Sequence, residues 1–301
     1  MKKHLPVIYF LLILSSVFWG VSFILTKQVF IVEPQMSVTL LVALRLALAT
    51  AVTVPILSLA GKLEPIRKGD LKWFLILAFT EPFVYHLFET SGVQYVSGSF
   101  ASVDIATIPL FIPFGMAVVY KEKLSKNILT GVAMSFIGIA IMLIGGEAVS
   151  GSLKGILFLS GAVFTAIVYT LLLVKIVDNY NALTVTVWQN LFGLIYFVLL
   201  LVIQNMMPGS GFHFSMLNSL NWGWDLIWPI LTLGICCSTF AYMFYSLGVK
   251  HIGASQTCIF NNTIPIFSLI AAIAIGQESF AWTKLTGMLI VIVGVVISQR
   301  K

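Results

Sequence analysis

Charged side chains are scarce in this sequence. Asp, Glu, Lys and Arg make up 9% of its 301 residues, whereas a typical soluble domain has about 25%. Hydrophobic residues make up 59%. This composition excludes an ordinary soluble globular domain and indicates a chain that lies in a membrane.

Three further scarcities narrow the possible functions. The three cysteines, Cys236, Cys237 and Cys258, are odd in number and lie in apolar runs, so a disulfide framework is not expected. The sequence has no Walker-type glycine loop, which argues against an ATP-driven pump. No basic stripe with interleaved aromatics occurs, so nucleic-acid binding is a poor explanation of the net charge of +6. We expect no cofactor and no metal site.

Ten apolar runs are each long enough to cross a hydrocarbon core of about 30 Å. They lie near residues 7–26, 37–60, 71–91, 97–119, 127–145, 154–175, 183–204, 226–249, 253–276 and 281–299. Runs of this length lack the ten-residue alternation of barrel strands and satisfy their own backbone as helices. The sequence therefore predicts an all-α integral membrane protein with ten transmembrane helices.

The basic residues predict how the chain is oriented. With the N-terminus inside, thirteen Lys and Arg residues fall in cytoplasmic segments and three in external ones, and Arg45 alone lies within a span. Loops rich in Lys and Arg stay on the cytoplasmic side. We therefore expect both termini to be cytoplasmic, and the short loops are typical of a protein of the bacterial cell membrane, surrounded by lipid.

An internal repeat divides the chain into two units of five spans, residues 1–148 and 149–301. A shift of 156 positions places "TIPLF" (107–111) on "TIPIF" (263–267) and Gly92 on Gly248. An odd number of spans in each unit inverts the second copy relative to the first. Inverted repeats around a central cavity are typical of secondary transporters.

Several motifs together resemble the drug/metabolite transporter superfamily, EamA type. They are "SSVFWGVSF" in span 1, the arginine of "VALRLAL" in span 2, and a twice-occurring proline followed 13 residues later by glutamate. The resemblance covers essentially the whole chain. It implies a ten-helix bundle with a central cavity, alternating access, and often the export of amino acids or related metabolites. Glu81, His86 and Glu89 depart from the uncharged pattern usual in span 3.

Apart from lysines near span ends, which the loop count above includes, five charged or histidine residues lie within predicted spans: Arg45, Glu81, His86, Glu89 and Asp104. A charge near a helix centre costs roughly 3 kcal/mol, so such residues tend to face a cavity or one another. At about 1.5 Å per residue, Arg45 and Asp104 lie at similar depth and Glu81 lies near the midplane. One hypothesis is a structural ion pair of Arg45 with Asp104 or Glu89. The other is that the acids bind a cationic or zwitterionic substrate or a proton, with His86 as relay.

A combined hypothesis assigns each group a role. Arg45 and Asp104 close the external side, with Glu89 also in coupling or gating, while Glu81 senses the substrate at the centre. Further substrate-binding candidates are Trp19, Tyr85, Tyr242, Asn261 and Asn262, for which helix packing is the alternative. Pro109 and Pro265 occupy equivalent positions, and we expect them to kink their helices for gating.

The sequence thus predicts a secondary active transporter and no enzyme. We expect it to move small polar metabolites, such as amino acids, amines or related zwitterions and cations. Export by alternating access is the expected mode, with proton coupling or exchange. One alternative is an intramembrane enzyme that uses Glu81, His86 and Glu89 as acid and base. Another is an importer of a nucleotide-like or sugar-like metabolite. The oligomeric state cannot be read from the sequence.

Overall fold

The computed structural model describes residues 5–144, 153–207 and 212–298, and every regular element within these ranges is helical. The predicted boundary between the repeats, at residues 148 and 149, lies outside the described residues, as do the terminal lysines and arginine. The all-α prediction is confirmed.

The helices are numbered in chain order. The N-terminal part contains α1 (Leu5–Val32), α2 (Val38–Leu59), α3 (Leu71–Ala78), α4 (Tyr85–Tyr95), α5 (Gly98–Ile105), α6 (Ile108–Tyr120) and α7 (Lys126–Ile144). The C-terminal part contains α8 (Leu153–Val177), α9 (Ala182–Met206), α10 (Trp224–Thr232), α11 (Ala241–Ile252), α12 (Ala254–Thr257), α13 (Ile264–Ala274) and α14 (Trp282–Ser298). Phe79–Val84 and Leu233–Phe240 are π-helical, and Phe214–Asn218 and Cys258–Thr263 are 3₁₀-helical.

Length and hydropathy identify the membrane spans. Among the described residues, seven helical runs are long and apolar enough to cross a membrane: Leu5–Val32, Val38–Leu59, Leu71–Tyr95, Leu153–Val177, Ala182–Met206, Trp224–Ile252 and Ala254–Ala274. Phe111–Tyr120 and Trp282–Gly294 are shorter apolar helices. The chain is therefore an integral membrane protein, while the ten-span inverted arrangement stays a prediction.

The run Leu71–Tyr95 is interrupted at Glu81. Its backbone is extended (φ −148°, ψ 122°), and Pro82 follows. A residue before proline is disfavoured in the α-helical conformation because its backbone clashes with the proline ring. The second π-helical segment, Leu233–Phe240, overlaps the position onto which the 156-residue shift places Phe79–Val84. Similar interruptions therefore occur at related positions of the two parts.

Pro109 and Pro265 each lie in the first turn of a helix, α6 and α13. The helical path breaks before them, at Ala106 and Thr107 in one part and along Cys258–Thr263 in the other. A proline in the first turn loses no hydrogen bond, since that N–H has no helical partner. Each proline thus lies just after a change in the helical path, and its role in gating stays a prediction.

Among the described helices, α7 and α14 form the most extensive contact. A Cβ added at Gly138 would lie 2.5 Å from the carbonyl oxygen of Gly287, and one added at Gly294 would lie 2.6 Å from that of Gly131. The 156-residue shift places Gly138 on Gly294 and Gly131 on Gly287, so the two contacts join equivalent pairs of residues. The backbones approach closely because no side chain separates them, as small residues allow between membrane helices.

Candidate functional site

A small cavity lies between α1, α2, α4, α8 and α11. Its volume is about 40 Å³, room for a few waters. It is lined by Trp19, Ser22, Phe23, Arg45, Glu81, Tyr85, His86, Glu89, Ile105, Ile108, Ala166, Tyr169, Thr170, Tyr242, Tyr245, Asn261 and Ile264. Aromatic and ionisable side chains thus converge on one cavity.

Glu81 reaches this cavity from the break in its helix. The side chain is buried, and its Oε1 accepts a hydrogen bond of 2.6 Å from the Tyr242 hydroxyl of α11. A carboxylate buried in a membrane bundle is stable only when it is paired or protonated. One phenol satisfies part of its hydrogen-bonding capacity, which leaves Glu81 able to take a further donor.

His86 continues the contact from Tyr242 to a second acid. Its Nε2 lies 3.3 Å from the Tyr242 hydroxyl, and its Nδ1 lies 3.2 Å from Glu89 Oε2. Thr90 donates to the same oxygen at 2.9 Å. Glu81, Tyr242, His86 and Glu89 therefore form one buried chain of hydrogen-bonding groups that joins α4 to α11.

Arg45 supplies the positive charge of the cavity. The residue is 1% exposed; its Nε donates to Ser238 Oγ at 3.3 Å, and within the described chain its Nη1 has no hydrogen-bond partner. Leaving a buried guanidinium nitrogen without an acceptor is unfavourable. A carboxylate can satisfy this nitrogen, because guanidinium and carboxylate pair in a planar geometry.

Aromatic rings form the opposite wall. The Trp19 ring lies 5.2 Å from both the Tyr242 and the Tyr245 rings, measured between centroids. Tyr85 packs edge to face against His86. Rings of this kind attract a cation placed over their faces. The wall is suited to an ammonium group as well as to apolar atoms.

Eight of the twelve predicted site residues line this cavity: Trp19, Arg45, Glu81, Tyr85, His86, Glu89, Tyr242 and Asn261. Asn262 lies elsewhere, where its Nδ2 donates to Ser135 Oγ of α7 at 3.0 Å and links two helices. Pro109 and Pro265 begin helices and are not among the lining residues.

The predicted ion pair of Arg45 with Asp104 or Glu89 is not formed. Among the described residues, the side-chain ion pairs are His86 with Glu89 and Lys284 with Glu278. Asp104 lines a different cavity. Similar depth along two helices did not reveal that Asp104 lies on another side of its helix, so the expected pairing of Arg45 with Asp104 is corrected, and a gating role for either residue stays a prediction.

Two further tyrosines, Tyr169 and Tyr245, also line the cavity. Tyr169 donates to Gln189 Oε1 at 3.1 Å, and the Tyr245 hydroxyl lies 3.4 Å from Thr170 Oγ1. A usable signal existed for Tyr245, because the 156-residue shift places Glu89 on it. For Tyr169 the sequence carries no comparable signal.

The chain is similar to known transporters over nearly its whole length. The model of the EamA-like transporter family matches residues 6–144 and 153–299. An uncharacterized transporter of Archaeoglobus fulgidus is 26% identical over 294 residues, covering 97% of this chain and 99% of that protein. The uncharacterized transporter YetK of Bacillus subtilis is 26% identical over 263 residues, covering 86% and 77%. One solved crystal structure has a TM-score of 0.71 at 15% identity, covering 94% of this chain and 97% of its own, a likeness of fold alone.

Proposed function

Because the chain belongs to the EamA-like transporter family, we propose that it exports small zwitterionic metabolites of the amino-acid class, and related amines, by proton-coupled alternating access. Family membership makes the chain a membrane transporter and not an enzyme. Substrate class, direction and coupling are our proposal. We also propose ten spans in two inverted repeats, in the cell membrane, with both termini in the cytoplasm.

The observation that carries the proposal is the pairing of opposite charges across one cavity. Arg45 Nη1 has no partner in the described chain, and Glu81 has only Tyr242. A substrate carboxylate would bind Arg45, and its ammonium group would bind Glu81 beside the rings of Trp19 and Tyr242. A zwitterion satisfies both groups at once, whereas a simple anion or cation satisfies one.

The small cavity volume supports a cycle in which the bundle opens to bind and release. About 40 Å³ lies well below the roughly 300 Å³ at which small-molecule pockets begin. Helix ends are tied on both sides of the bundle: Lys27 donates to the carbonyl oxygens of Val93 and Gln94, and Lys250 donates to that of Tyr180. These contacts support an occluded state from which either side opens.

The two family matches and the related glycine contacts support the inverted repeat. Each family match covers one of the predicted five-span units. In the α7–α14 contact, the shift of 156 residues relates the pair Gly138 and Gly287 to the pair Gly294 and Gly131. Two equivalent units can exchange roles on opposite faces of the membrane, which is the basis of alternating access in such transporters.

The chain from Glu81 to Glu89 supports proton coupling. In one arrangement ionised Glu81 accepts from Tyr242, and doubly protonated His86 donates to both Tyr242 and Glu89. In the other, protonated Glu81 donates to the Tyr242 oxygen, Tyr242 donates to Nε2 of neutral His86, and Nδ1–H still donates to Glu89. One proton passes from His86 to Glu81 through the hydroxyl, and every group stays paired.

This relay would let a proton and a substrate ammonium group compete for Glu81. When the substrate leaves on the external side, a proton taken up there replaces its positive charge. When that proton leaves on the cytoplasmic side, Glu81 is again ready for an ammonium group. Proton entry would thereby drive substrate export.

The test is flux through the purified full chain in proteoliposomes, with and without a pH gradient. The panel contains amino acids, their decarboxylated amines, quaternary amines, sugars and nucleotides. We expect saturable, gradient-driven flux of an amino acid. Arg45→Gln should raise its KM at least about 30-fold, the lower end of the roughly 2–5 kcal/mol lost with a buried charge partner, and should leave the decarboxylated amine nearly unaffected.

Three outcomes of the same assay would contradict parts of this proposal. Equal loss of flux for the amino acid and for its amine would assign Arg45 a structural role. Preference for a nucleotide or a sugar would favour the alternative importer. Flux that ignores the pH gradient in the parent chain would remove the proton from the proposed cycle.

A further inference from the structure

A second cavity lies apart from the central one, between α5, α6, α7 and α8. Its volume is about 400 Å³, and it is lined by Asp104, Thr107, Phe111, Phe136, Ser160, Val163, Phe164 and Ile167. Among the described residues, none lines both cavities. The volume falls within the roughly 300–1,000 Å³ of small-molecule pockets.

The rim of this cavity is aromatic and exposed. Phe111 of α6, Phe136 of α7 and Phe164 of α8 are 49%, 52% and 67% exposed. α8 is one of the candidate spans, and Phe111 begins a shorter apolar helix. Exposed phenylalanines on membrane helices lie against lipid chains. The cavity therefore opens toward the hydrocarbon of the bilayer.

Its polar feature is the carboxyl group of Asp104. This residue lies six positions after the start of α5, roughly 9 Å along the helix. Its Oδ2 is buried and accepts no hydrogen bond from the described chain, and no described Lys, Arg or His lies within ion-pair distance of it. Lys154, at the start of α8, donates to the Tyr95 hydroxyl instead.

We propose that this cavity binds an amphipathic primary amine dissolved in the bilayer. Its ammonium group would donate to Asp104 and to the Thr107 hydroxyl oxygen, while its alkyl chain would lie against the three phenylalanine rings. An isolated carboxylate in hydrocarbon is costly, and an ammonium group that enters from the lipid removes that cost. Charge complementarity thus selects the occupant, and the site is independent of the transport proposed for the central cavity.

Photochemical labelling tests this site directly. The full chain is reconstituted in phosphatidylcholine bilayers with dodecylamine that carries a chain-end diazirine, or with the matched alcohol, and labelled residues are mapped by peptide mass spectrometry. We expect the amine to label the segments of α6, α7 and α8 around the three phenylalanines at least about tenfold more than the alcohol does, the effect of one charge-assisted hydrogen bond. An excess of unlabelled dodecylamine, but not of dodecanol, should suppress this labelling.

Matched variants test whether the Asp104 carboxyl group causes the preference for the amine. Asp104→Asn should abolish the preference for the amine, Asp104→Glu should keep it, and Asp178→Asn, at an exposed acid outside the cavity, should not change it. Equal labelling by amine and alcohol in the parent chain, or a preference that survives Asp104→Asn, would overturn the proposal. Displacement of the probe by added phosphatidylethanolamine would assign the site to a lipid headgroup and overturn the free amine. If Asp104→Asn does not fold, the competition in the parent chain decides.

Discussion

The runs Leu71–Tyr95 and Trp224–Ile252 are interrupted at related positions but differ in chemistry. Both are interrupted by a π-helical segment at related positions. The 156-residue shift pairs Glu81 with Cys237, His86 with Tyr242 and Glu89 with Tyr245. Where the first run has an acid or a histidine, the second run therefore has a thiol or a phenol.

In the proposed transport cycle, this difference would separate two tasks of the two runs. Interruptions at related positions would let both runs open and close in equivalent ways. Unequal side chains make the cavity chemically one-sided, with both acids on the run Leu71–Tyr95 and the phenols of Tyr242 and Tyr245 on α11. Tyr242 joins the two walls because it contacts both Glu81 and His86. The comparison predicts that substitutions of the acids in the cavity reduce flux strongly. It also predicts that matched substitutions in the two halves of the α7–α14 contact reduce stability equally.

The largest effect is expected for Glu81→Gln. Glutamine keeps the volume and an acceptor for Tyr242 but cannot exchange a proton, so flux driven by a pH gradient should fall at least about 100-fold, as when a general acid or base is removed. The measurement is gradient-driven flux in proteoliposomes. Glu278→Gln is the control, because Glu278 pairs with Lys284 outside the cavity, and it should change flux little. Unchanged pH dependence in Glu81→Gln would return this acid to a structural role.

Gly138→Ala and Gly294→Ala test the symmetric part of the comparison. Each added methyl group would lie within 2.6 Å of a carbonyl oxygen of the facing helix, and overpacking of this kind costs roughly 1–3 kcal/mol. We expect both variants to lower the thermal unfolding midpoint by similar amounts. Gly69→Ala is the control, since no atom of the described residues lies within 4 Å of its added Cβ. A loss confined to one of the two variants would contradict the related packing of α7 and α14.

Tyr242→Phe should separate substrate binding from proton coupling. The ring and its contact with Trp19 remain, so the substrate KM should change by about 2–10-fold, which corresponds to one hydrogen bond. The proton-to-substrate ratio should fall, because no hydroxyl then bridges Glu81 and His86. Tyr245→Phe removes a hydroxyl that contacts Thr170 and is outside the relay. If both variants kept the same ratio as the parent chain, the relay would be wrong.

The smallest effect is expected for Cys237→Ser, at the position paired with Glu81. The thiol donates to the Phe18 carbonyl oxygen at 3.1 Å, and a serine hydroxyl can make the same bond at similar size. Flux should stay within about twofold of the parent value, since a buried thiol mostly fills space. A loss as large as that of Glu81→Gln would show that the two walls are not chemically unequal.

The sequence by itself determined the membrane class, the helical elements and the identity of most candidate groups. The run predicted at 37–60 is α2, Val38–Leu59, because length and hydropathy are local properties that decide whether a helix can span. Glu81, His86 and Arg45 were found because a charge in an apolar run is costly wherever it lies. The break at Glu81 was also readable, from Pro82 after it.

Only the tertiary structure decided which of these groups meet. Glu81 bonds Tyr242, 161 positions away, and Arg45 bonds Ser238, 193 positions away. Depth in the membrane follows from counting residues along a helix, but the side that a residue faces depends on how the helices rotate and pack. Arg45 and Asp104 share a depth and still do not pair, because they lie in different cavities. Packing between distant segments sets those rotations, and no local pattern contains them.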